Sequence, residues 1–370
     1  MMTSTNCLFE AFNSDKLSLA NRLVMAPMTR SFSPHNVPSD QVVEYYRRRA
    51  AGGLGLIITE GTTINHIAAH GYPNVPNFHG EQALEAWRKV ANAVHAEGGK
   101  IAPQLWHVGA ARRPGTEPGG QTPGFSPSGM FMPGKITGHA MTKDDIDEVV
   151  QAYAQAAKDA QQAGFDAIEI HAAHGYLIDQ FFWAGTNQRE DEYGGDMAAR
   201  GRFAQEIVSA IRAAVGPDFA IILRWSQWKQ QAYDARLVET PEALAEFIQP
   251  LADAGVDIFH CSTRRFWQPE FESSNLNLAG WVKKLTGKAT ITVGSVGLSD
   301  EFLPESANAG FKEASPVNFD ELVERMENNE FDLVALGRSV IANPDWPKLV
   351  QAGKFDQLKP YEKRYLESLV

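Results

Sequence analysis

Short apolar runs alternate with longer amphipathic segments along almost the whole chain. The runs are rich in β-branched residues, and most are apolar on both faces, as expected of strands inside a parallel sheet. We count eight such runs. They span residues 23–28, 56–64, 100–107, 167–171, 220–226, 258–263, 289–296 and 333–338. This alternation predicts repeated βα units around a parallel sheet.

The longer segments between the runs have the start signals and apolar spacing of helices. Thr142 and Asp145 form a capping-box pattern ahead of apolar residues that recur every three or four positions. Thr240 and Pro241 suit an N-cap and the first helical position. The segment 81–98 ends at a Gly-Gly pair suited to a C-cap. Each helix is therefore predicted to bury one stripe against the sheet.

Eight βα units in 370 residues favour an α/β fold of the (β/α)8 TIM-barrel type over a doubly wound sheet. The chain has no G-x-G-x-x-G motif after its first strand and no P-loop, which are the usual phosphate-binding motifs of doubly wound folds. We predict a single domain, residues 1–370, with a small N-terminal hairpin from residues 8–9 and 17–19 as a lid on the opposite end of the barrel. Long inserted loops after strands 3 and 4, residues 108–138 and 175–197, lie on the side where barrel enzymes build their sites.

Composition narrows the class of ligand. There are 34 Lys and Arg against 45 Asp and Glu, a formal net charge of −11, which disfavours nucleic acid and anionic membranes as partners. Because Cys7 and Cys261 are the only cysteines, a disulfide framework, a cysteine zinc site and an iron–sulfur cluster are not expected. No segment resembles a signal peptide or reaches the roughly 18 apolar residues of a membrane span. We expect a cytoplasmic monomer or homodimer that acts on a small molecule.

Polar and small residues that a barrel core does not favour gather at the carboxyl ends of the predicted strands. Because these ends meet at one face of a parallel barrel, the residues are predicted to form a common pocket. The segments are Pro27-Met28-Thr29-Arg30, Glu60-Gly61-Thr62, Gln104-Leu105-Trp106-His107, residues 171–176, Arg224-Trp225-Ser226, residues 294–297 and Gly337-Arg338.

The loops after the seventh and eighth strands are where barrel enzymes usually bind phosphate. Gly294 and Gly297 allow backbone N–H groups to approach an anion closely, and Arg338 can add a charge-assisted hydrogen bond. The alternative is that the glycines serve ordinary turns and that Arg338 is a solvated surface charge.

His171 and His174 stand three residues apart, so both reach one pocket only if the strand ends near His171 and Gly175 provides a turn. Two imidazoles can bind zinc, which leaves a metal-dependent barrel hydrolase as an alternative. However, H-A-A-H lacks the spacing and the internal Glu of H-E-x-x-H, and no third ligand is near in sequence. Another alternative is a pair of satisfied core histidines. Glu169 should point into the barrel as His171 does, and we expect Arg224 on the next strand as its partner.

Aromatic residues add flat surface at the same strand ends. Trp106 and Tyr72 are flanked by polar positions, and we expect them to contact a flat ligand. For Trp225 and Trp228 we expect packing of loops onto the barrel instead.

These residues belong to a set of linked motifs in which the chain resembles the old yellow enzymes, a family of FMN-containing ene-reductases. The resemblance runs from about residue 8 to residue 346. Its motifs are NRLVMAPMTR (21–30), IITEGT (57–62), QLWHVG (104–109), GFDAIEIHAAHGYLIDQF (164–181), the N-x-R-x-D-x-Y-G-G run (187–195), TVGSVG (292–297) and LGRSVIANPD (336–345). Each motif alone is weak, but the ordered set is specific.

The resemblance implies a tightly bound, non-covalent FMN that is reduced by NAD(P)H. Arg224 would lie by N1 and C2=O of the flavin, where a fixed guanidinium favours the reduced anionic form. The implied cofactor-binding residues are Pro27, Met28, Thr29, Gly61, Gln104 and Arg224, with Gly294, Ser295, Gly337 and Arg338 at the phosphate. The implied substrate-binding residues are His171, His174, Trp106 and Tyr72, with Tyr176 as the proton donor.

The activity implied by the resemblance is reduction of an activated alkene. Hydride transfer to the β-carbon builds charge on the carbonyl or nitro oxygen, which two histidine N–H donors stabilise while Tyr176 protonates the α-carbon. NAD(P)H would reduce the flavin in the same pocket and leave first, in a ping-pong cycle that needs no separate dinucleotide site. Larger relatives with an iron–sulfur cluster need cysteines that this sequence lacks. A non-catalytic flavin-binding protein remains an alternative beside the metal hydrolase.

Two segments depart from what the family pattern explains. The loop at residues 263–267 matches no motif, so its contribution to the pocket is not predicted. Tyr361 and Tyr365 lie near the C-terminus, and we expect them to pack as part of an exposed helix, with the alternative that one of them reaches the active site.

Overall fold

Eight parallel strands hydrogen-bond in chain order and close into a barrel in the computed structural model, which describes residues 4–272, 274–299, 314–317 and 319–370. The barrel strands are β1 (Leu23–Met25), β2 (Leu56–Thr63), β3 (Lys100–Trp106), β4 (Ala167–His174), β5 (Ala220–Lys229), β6 (Ile258–Ser262), β7 (Ala289–Val293) and β8 (Leu333–Leu336). The predicted (β/α)8 barrel is confirmed.

Helices connect the strands and begin at the predicted caps. Thr142 and Asp145 form the reciprocal bonds of a capping box, and the Thr240 side chain accepts a hydrogen bond from the backbone N–H of Ala243. The helices are α1 (Asp40–Ala51), α2 (Glu81–Ala96), α3 (Lys143–Gln162), α4 (Leu177–Phe182), α5 (Met197–Val215), α6 (Pro241–Ala254), α7 (Leu278–Thr286), α8 (Asp320–Glu327), α9 (Arg338–Ala342) and α10 (Trp346–Gln351).

Strands β4 and β5 are longer than predicted, because their pairing continues past an irregularity. The register shifts between Ala172 and His174 and then resumes with His174 opposite Lys229. Such a bulge re-aims the side chains of one strand relative to its partner. His171 and His174 can therefore face the same space although they are three residues apart on one strand.

A buried cluster inside the barrel is closed from below by the N-terminal hairpin. Phe12–Asn13 pairs antiparallel with Ser18–Leu19, and Phe12, Leu17 and Leu19 pack with the inward side chains of the strands. The predicted position of the hairpin is correct, but its first strand is wrong. Residues Asn6–Phe9 form a 3₁₀ helix instead, because Leu8 is buried in the separate core between strands and helices.

Both predicted insertions lie at the carboxyl ends of the strands. The first carries a small hairpin, in which Met130–Met132 pairs with Lys135–Ile136, and the second carries α4. Among the residues that the structure describes, no helix combines the length and the apolar character needed to cross a bilayer.

Candidate active site

A cavity of about 500 Å³ lies at the carboxyl ends of the barrel strands. This volume falls within the range of about 300–1,000 Å³ typical of ligand and cofactor sites. The predicted site residues that line it are Pro27, Met28, Thr29, Tyr72, Gln104, Trp106, His171, His174, Tyr176, Arg224, Gly294, Ser295, Gly337 and Arg338. Tertiary structure thus brings together residues from seven strand ends and from the loops beyond them.

Among the cofactor- and substrate-binding residues that the resemblance implies, Gly61 is the one that does not line this cavity. Other residues of the predicted strand-end segments also lie outside its lining, among them Arg30, Glu60, Thr62, His107, Ser226 and Gly297. A Cβ atom at Gly61 would lie 2.4 Å from Cε3 of Trp106. The lack of a side chain therefore lets the Trp106 ring pack directly against β2, and the contribution of Gly61 to the cavity is indirect.

His171 is buried and neutral. Its pKa lies well below the ordinary value, because burial and the positive charge of Arg224 disfavour the imidazolium form. The ring packs between Trp106, with centroids 5.9 Å apart, and Tyr176, with centroids 5.1 Å apart. A neutral imidazole in this position offers one N–H donor to the cavity.

His174 sits in a tight turn with Gly175, where both residues have positive φ angles of 65° and 78°. This conformation is uncommon for a residue other than glycine, and it is stabilised by a hydrogen bond from the backbone N–H of His174 to Ser226 Oγ at 3.0 Å. The Nε2 atom of the ring lies 2.8 Å from Ser262 Oγ. Burial, followed by Arg224, also lowers the pKa of His174 well below the ordinary value, so this ring is neutral too.

Tyr176 follows this turn and presents a protonated phenol to the cavity. Its hydroxyl oxygen lies 3.1 Å from that of Tyr72 and accepts a hydrogen bond from Gln230 Nε2 at 3.2 Å. Burial, with Tyr72 as the next cause, raises the pKa of Tyr176 well above its ordinary value. The ring meets Trp106 edge to face at a centroid distance of 4.9 Å. The phenol is therefore held in the form that can donate a proton.

A fully buried ion pair supports the turn from behind. Lys229 Nζ lies 2.8 Å from Asp179 Oδ1, and both side chains are 0% exposed. The other oxygen of Asp179 accepts the backbone N–H of Gly175 at 2.6 Å, and Lys229 also donates to the backbone oxygen of Gln227 at 2.9 Å. The pair thus ties α4 and the His174–Tyr176 turn to the end of β5.

The expected pairing of Glu169 with Arg224 is wrong. Glu169 does point into the barrel and is fully buried, but it accepts hydrogen bonds from Gln104 Nε2 at 2.8 Å and from His260 Nδ1 at 2.6 Å. The closed barrel supplies these partners, because β3 adjoins β4 and the His260 side chain reaches across from β6. Gln104 is thereby oriented at the floor of the cavity.

Arg224 donates through Nη2 to Ser262 Oγ at 3.3 Å and has its Nε donor left for a ligand. Its guanidinium lies in the cavity wall, and its Nε atom is buried without a hydrogen-bond partner among the described residues. A buried donor left unpaired is costly, so a ligand acceptor is expected beside it. An electron-rich ring edge that gains negative charge on reduction, as the pyrimidine edge of FMN does, satisfies this requirement.

The loops after β7 and β8 approach each other closely at the far end of the cavity. Gly294 has a φ angle of 141°, and a Cβ atom there would lie 2.7 Å from the backbone oxygen of Thr263. Arg338 lies beside them and also packs over the Tyr361 ring at 5.7 Å. The crowded backbone and the arginine suit a phosphate, so the donor set at both ends of the cavity fits FMN.

Several cavity residues were missed or wrongly placed from the sequence. Trp228 lines the cavity and stacks on His174 with centroids 4.5 Å apart, contrary to the expected loop packing. Trp225 is a packing residue, but it packs against Phe247 of α6 and not under a loop. Tyr361 is buried and lines the cavity, so for this residue the alternative of a tyrosine that reaches the active site is correct and the exposed helix is wrong, while Tyr365 does not line the cavity. Gln230 and Ser262, which were not among the predicted site residues, also line the cavity. The loop at residues 263–267, whose contribution was left open, supplies Thr263 and Arg264 to the lining. The polar residues of the W-S-Q-W-K-Q run directly after Arg224 were the available indication.

Among the residues that the structure describes, the histidine pair has no third metal-ligating side chain grouped with it. Within the described ranges, His, Cys, Asp and Glu side chains form no group of three or more that could hold a metal ion. His171 and His174 instead face an aromatic wall and a serine hydroxyl.

Comparison with known proteins places the whole barrel in one family. The model of the NADH:flavin oxidoreductase / NADH oxidase family matches residues 7–357. The chain is 35% identical to the flavin oxidoreductase hxnT of Emericella nidulans over 393 residues, covering 97% of this chain and 96% of that protein. It is 33% identical to 12-oxophytodienoate reductase 7 of Oryza sativa subsp. japonica, covering 91% and 86% of the two chains.

Solved structures agree with this assignment. Morphinone reductase in complex with tetrahydroNAD aligns with a TM-score of 0.79 and 30% identity, covering 97% of this chain and 93% of that one. The old yellow enzyme homologue from Zymomonas mobilis aligns with a TM-score of 0.78 and 27% identity, covering 97% and 96%. The chain therefore belongs to the NADH:flavin oxidoreductase / NADH oxidase family of old yellow enzymes and is a flavin-dependent oxidoreductase that uses FMN and NAD(P)H.

Proposed function

We propose that this protein is an ene-reductase that acts on α,β-unsaturated carbonyl and nitro compounds, and that residues 1–370 act as one flavin-binding domain. The observation that carries the proposal is the convergence of two neutral histidines and a protonated tyrosine on one wall of the cavity. Because all three side chains are neutral, their role is to donate hydrogen bonds and a proton.

The residues present suit both ends of the cofactor. Thr29, Gln104 and the unpaired Nε of Arg224 would hold the flavin ring, while Pro27 and Met28 line the cavity beside it. Gly294, Ser295, Gly337 and Arg338 would hold the phosphate. When bound, FMN supplies the hydride chemistry of the reaction, with NAD(P)H as the source of the hydride.

The histidines and Tyr176 would act on the substrate. His171 and His174 donate hydrogen bonds to its carbonyl or nitro oxygen, where negative charge develops as the β-carbon receives hydride. Trp106 and Tyr72 provide flat apolar surface for the conjugated substrate. The Tyr176 hydroxyl then donates its proton to the α-carbon, which completes a two-electron reduction of the double bond by one hydride and one proton.

Anaerobic half-reactions test the proposal. Purified protein should be yellow, lose its flavin absorbance on addition of NADH or NADPH, and regain it when mixed with cyclohexenone, maleimide or a nitroalkene. A reduced flavin that none of these compounds reoxidises would indicate a non-catalytic flavin-binding protein. A colourless preparation with stoichiometric zinc would indicate the metal hydrolase.

A further inference from the structure

We propose that Ser262 is a positioning residue, which holds neutral His174 as the tautomer protonated at Nδ1 and so directs that N–H into the cavity. Ser262 ends strand β6 and is 2% exposed. Its hydroxyl oxygen lies between two cavity residues, 2.8 Å from His174 Nε2 and 3.3 Å from Arg224 Nη2.

The direction of these two hydrogen bonds follows from the groups involved. An arginine guanidinium only donates, so Arg224 must donate to Ser262 Oγ. The hydroxyl hydrogen is then left to donate, and within the described part of the chain His174 Nε2 is the acceptor within reach. If Nε2 carried the proton instead, the buried hydroxyl would have no acceptor there, which is costly.

The surroundings of His174 keep the ring neutral, so the proton has to reside on one nitrogen or the other. The charged and titratable groups that face it, Arg224, His171, Lys229 and His260, all oppose protonation to the imidazolium. Among the described residues Nδ1 has no hydrogen-bond partner, and His174 lines the cavity. Nδ1–H is therefore the donor available to a bound oxygen.

Ser262 also fixes the plane of the ring through a second residue. Trp228 Nε1 donates to the backbone oxygen of Ser262 at 3.1 Å, and the indole stacks on His174 at an interplanar angle of 28°. The hydroxyl thus sets which nitrogen is protonated, while the indole prevents the ring from rotating out of the hydrogen bond. The catalytic consequence of this arrangement rests on the proposed function, but the tautomer itself does not.

Histidine-ring ¹⁵N NMR of the FMN-loaded protein tests the tautomer without any turnover. In the wild-type protein His174 should show a protonated Nδ1 and an unprotonated Nε2. Ser262→Ala removes the hydroxyl and should shift the ring toward the Nε2-protonated form, whereas Ser262→Thr keeps a hydroxyl and should preserve the wild-type spectrum. Thr290→Val is the matched control, since it removes another fully buried hydroxyl from the barrel, one without a partner among the described residues.

Binding of p-chlorophenol to the oxidised protein provides a second measurement. We expect Ser262→Ala to weaken binding about tenfold per bound flavin, as for loss of one well-aligned hydrogen bond, and Ser262→Thr to restore most of the affinity. A wild-type His174 protonated at Nε2, or a tautomer that Ser262→Ala leaves unchanged, would overturn the proposal. If NMR gives the expected tautomers but an enone does not reoxidise the reduced flavin, the ene-reductase function is wrong and the role of Ser262 in setting the tautomer still holds.

Discussion

The hydroxyl oxygens of Tyr72 and Tyr176 lie 3.1 Å apart at one side of the cavity. Tyr176 is buried and Tyr72 is half-buried, so the hydrogen bond links the proposed proton donor to a residue that reaches toward solvent. The protonated state of Tyr176 at neutral pH follows from its burial, which raises its pKa.

Tyr176→Phe should slow reoxidation of the reduced flavin by cyclohexenone by about 10²- to 10⁴-fold, the usual contribution of general acid catalysis. Flavin reduction by NAD(P)H should be almost unchanged, because that step requires no proton from the phenol. Stopped-flow absorbance of the two half-reactions separates the effects. Equal losses in both would argue against Tyr176 as the donor.

His171→Ala should weaken binding of phenolic ligands and reduce the intensity of the charge-transfer band that they form over a flavin. This variant removes the neutral imidazole beside Trp106 and with it one N–H donor to the ligand. We therefore expect the Kd of p-chlorophenol to rise about tenfold or more. Difference absorbance titration measures the change. An unaltered band and Kd would refute His171 as a ligand donor.

Gly294→Ala should release FMN. The added Cβ would meet the backbone oxygen of Thr263 at 2.7 Å, and φ of 141° strains any residue with a side chain. We expect purified protein with a low ratio of flavin to polypeptide and a raised Kd for FMN. Gly164→Ala is the matched control, because Gly164 also has a positive φ but no atom within 4 Å of its added Cβ. Equal flavin loss in both variants would contradict a specific role for Gly294.

Lys229→Met should destabilise the fold by about 3 kcal/mol or more, because it leaves the buried Asp179 carboxylate without its cation. The double variant Lys229→Met with Asp179→Leu should recover part of this loss, since an apolar pair of similar volume needs no desolvated charge. Urea denaturation of the three proteins measures the difference. A double variant less stable than Lys229→Met would contradict this account of the pair.

Glu60 should make stability fall as the pH rises from about 4.3 toward 7. Burial raises its pKa to about 7, so the folded protein retains a proton that the unfolded chain releases at its ordinary value of about 4.3. This contribution to the free energy of unfolding is complete below the pKa of Glu60 in the unfolded chain, about 4.3. It is lost as the pH rises through the pKa of Glu60 in the folded protein, about 7.

Glu60→Gln keeps an oxygen to accept the backbone N–H groups of Arg30 and Ser31 but does not titrate. We expect the wild-type protein to lose stability relative to this variant between pH 5 and pH 8, by on the order of 1–3 kcal/mol. Chemical denaturation of both proteins across this range measures the difference, and parallel pH profiles would show that Glu60 does not titrate in it.

The barrel could be predicted because each strand and each helix start has a recognisable pattern in its own stretch of sequence. Runs such as Leu56–Thr63 are apolar on both faces, and caps such as Thr142 mark the helix starts. Since the carboxyl ends of all parallel strands lie at one face of a barrel, the same pattern also predicted that Thr29, His171 and Arg338 would line one cavity.

Partners across the barrel could not be predicted in this way. Glu169 bonds His260 from a strand two positions away, and the sequence alone pointed to Arg224 on the adjacent strand. Trp228 lies in the cavity wall because β5 continues past Arg224 as far as Lys229, and Tyr361 lies there because of the path of the C-terminal segment that carries it. No local pattern determines either feature.

The sequence by itself determined the fold class, the family resemblance and most of the residues around the cavity, because hydrophobic periodicity and strand-end polarity are properties of neighbouring positions. Only the tertiary structure decided which atoms of those residues pair. The bulge at His174, the buried Lys229–Asp179 pair and the hydroxyl of Ser262 together set the orientation of the donors. A hydrogen bond forms only when the distance between donor and acceptor is correct to within a few tenths of an ångström. For segments far apart in the chain, closure of the barrel sets that distance.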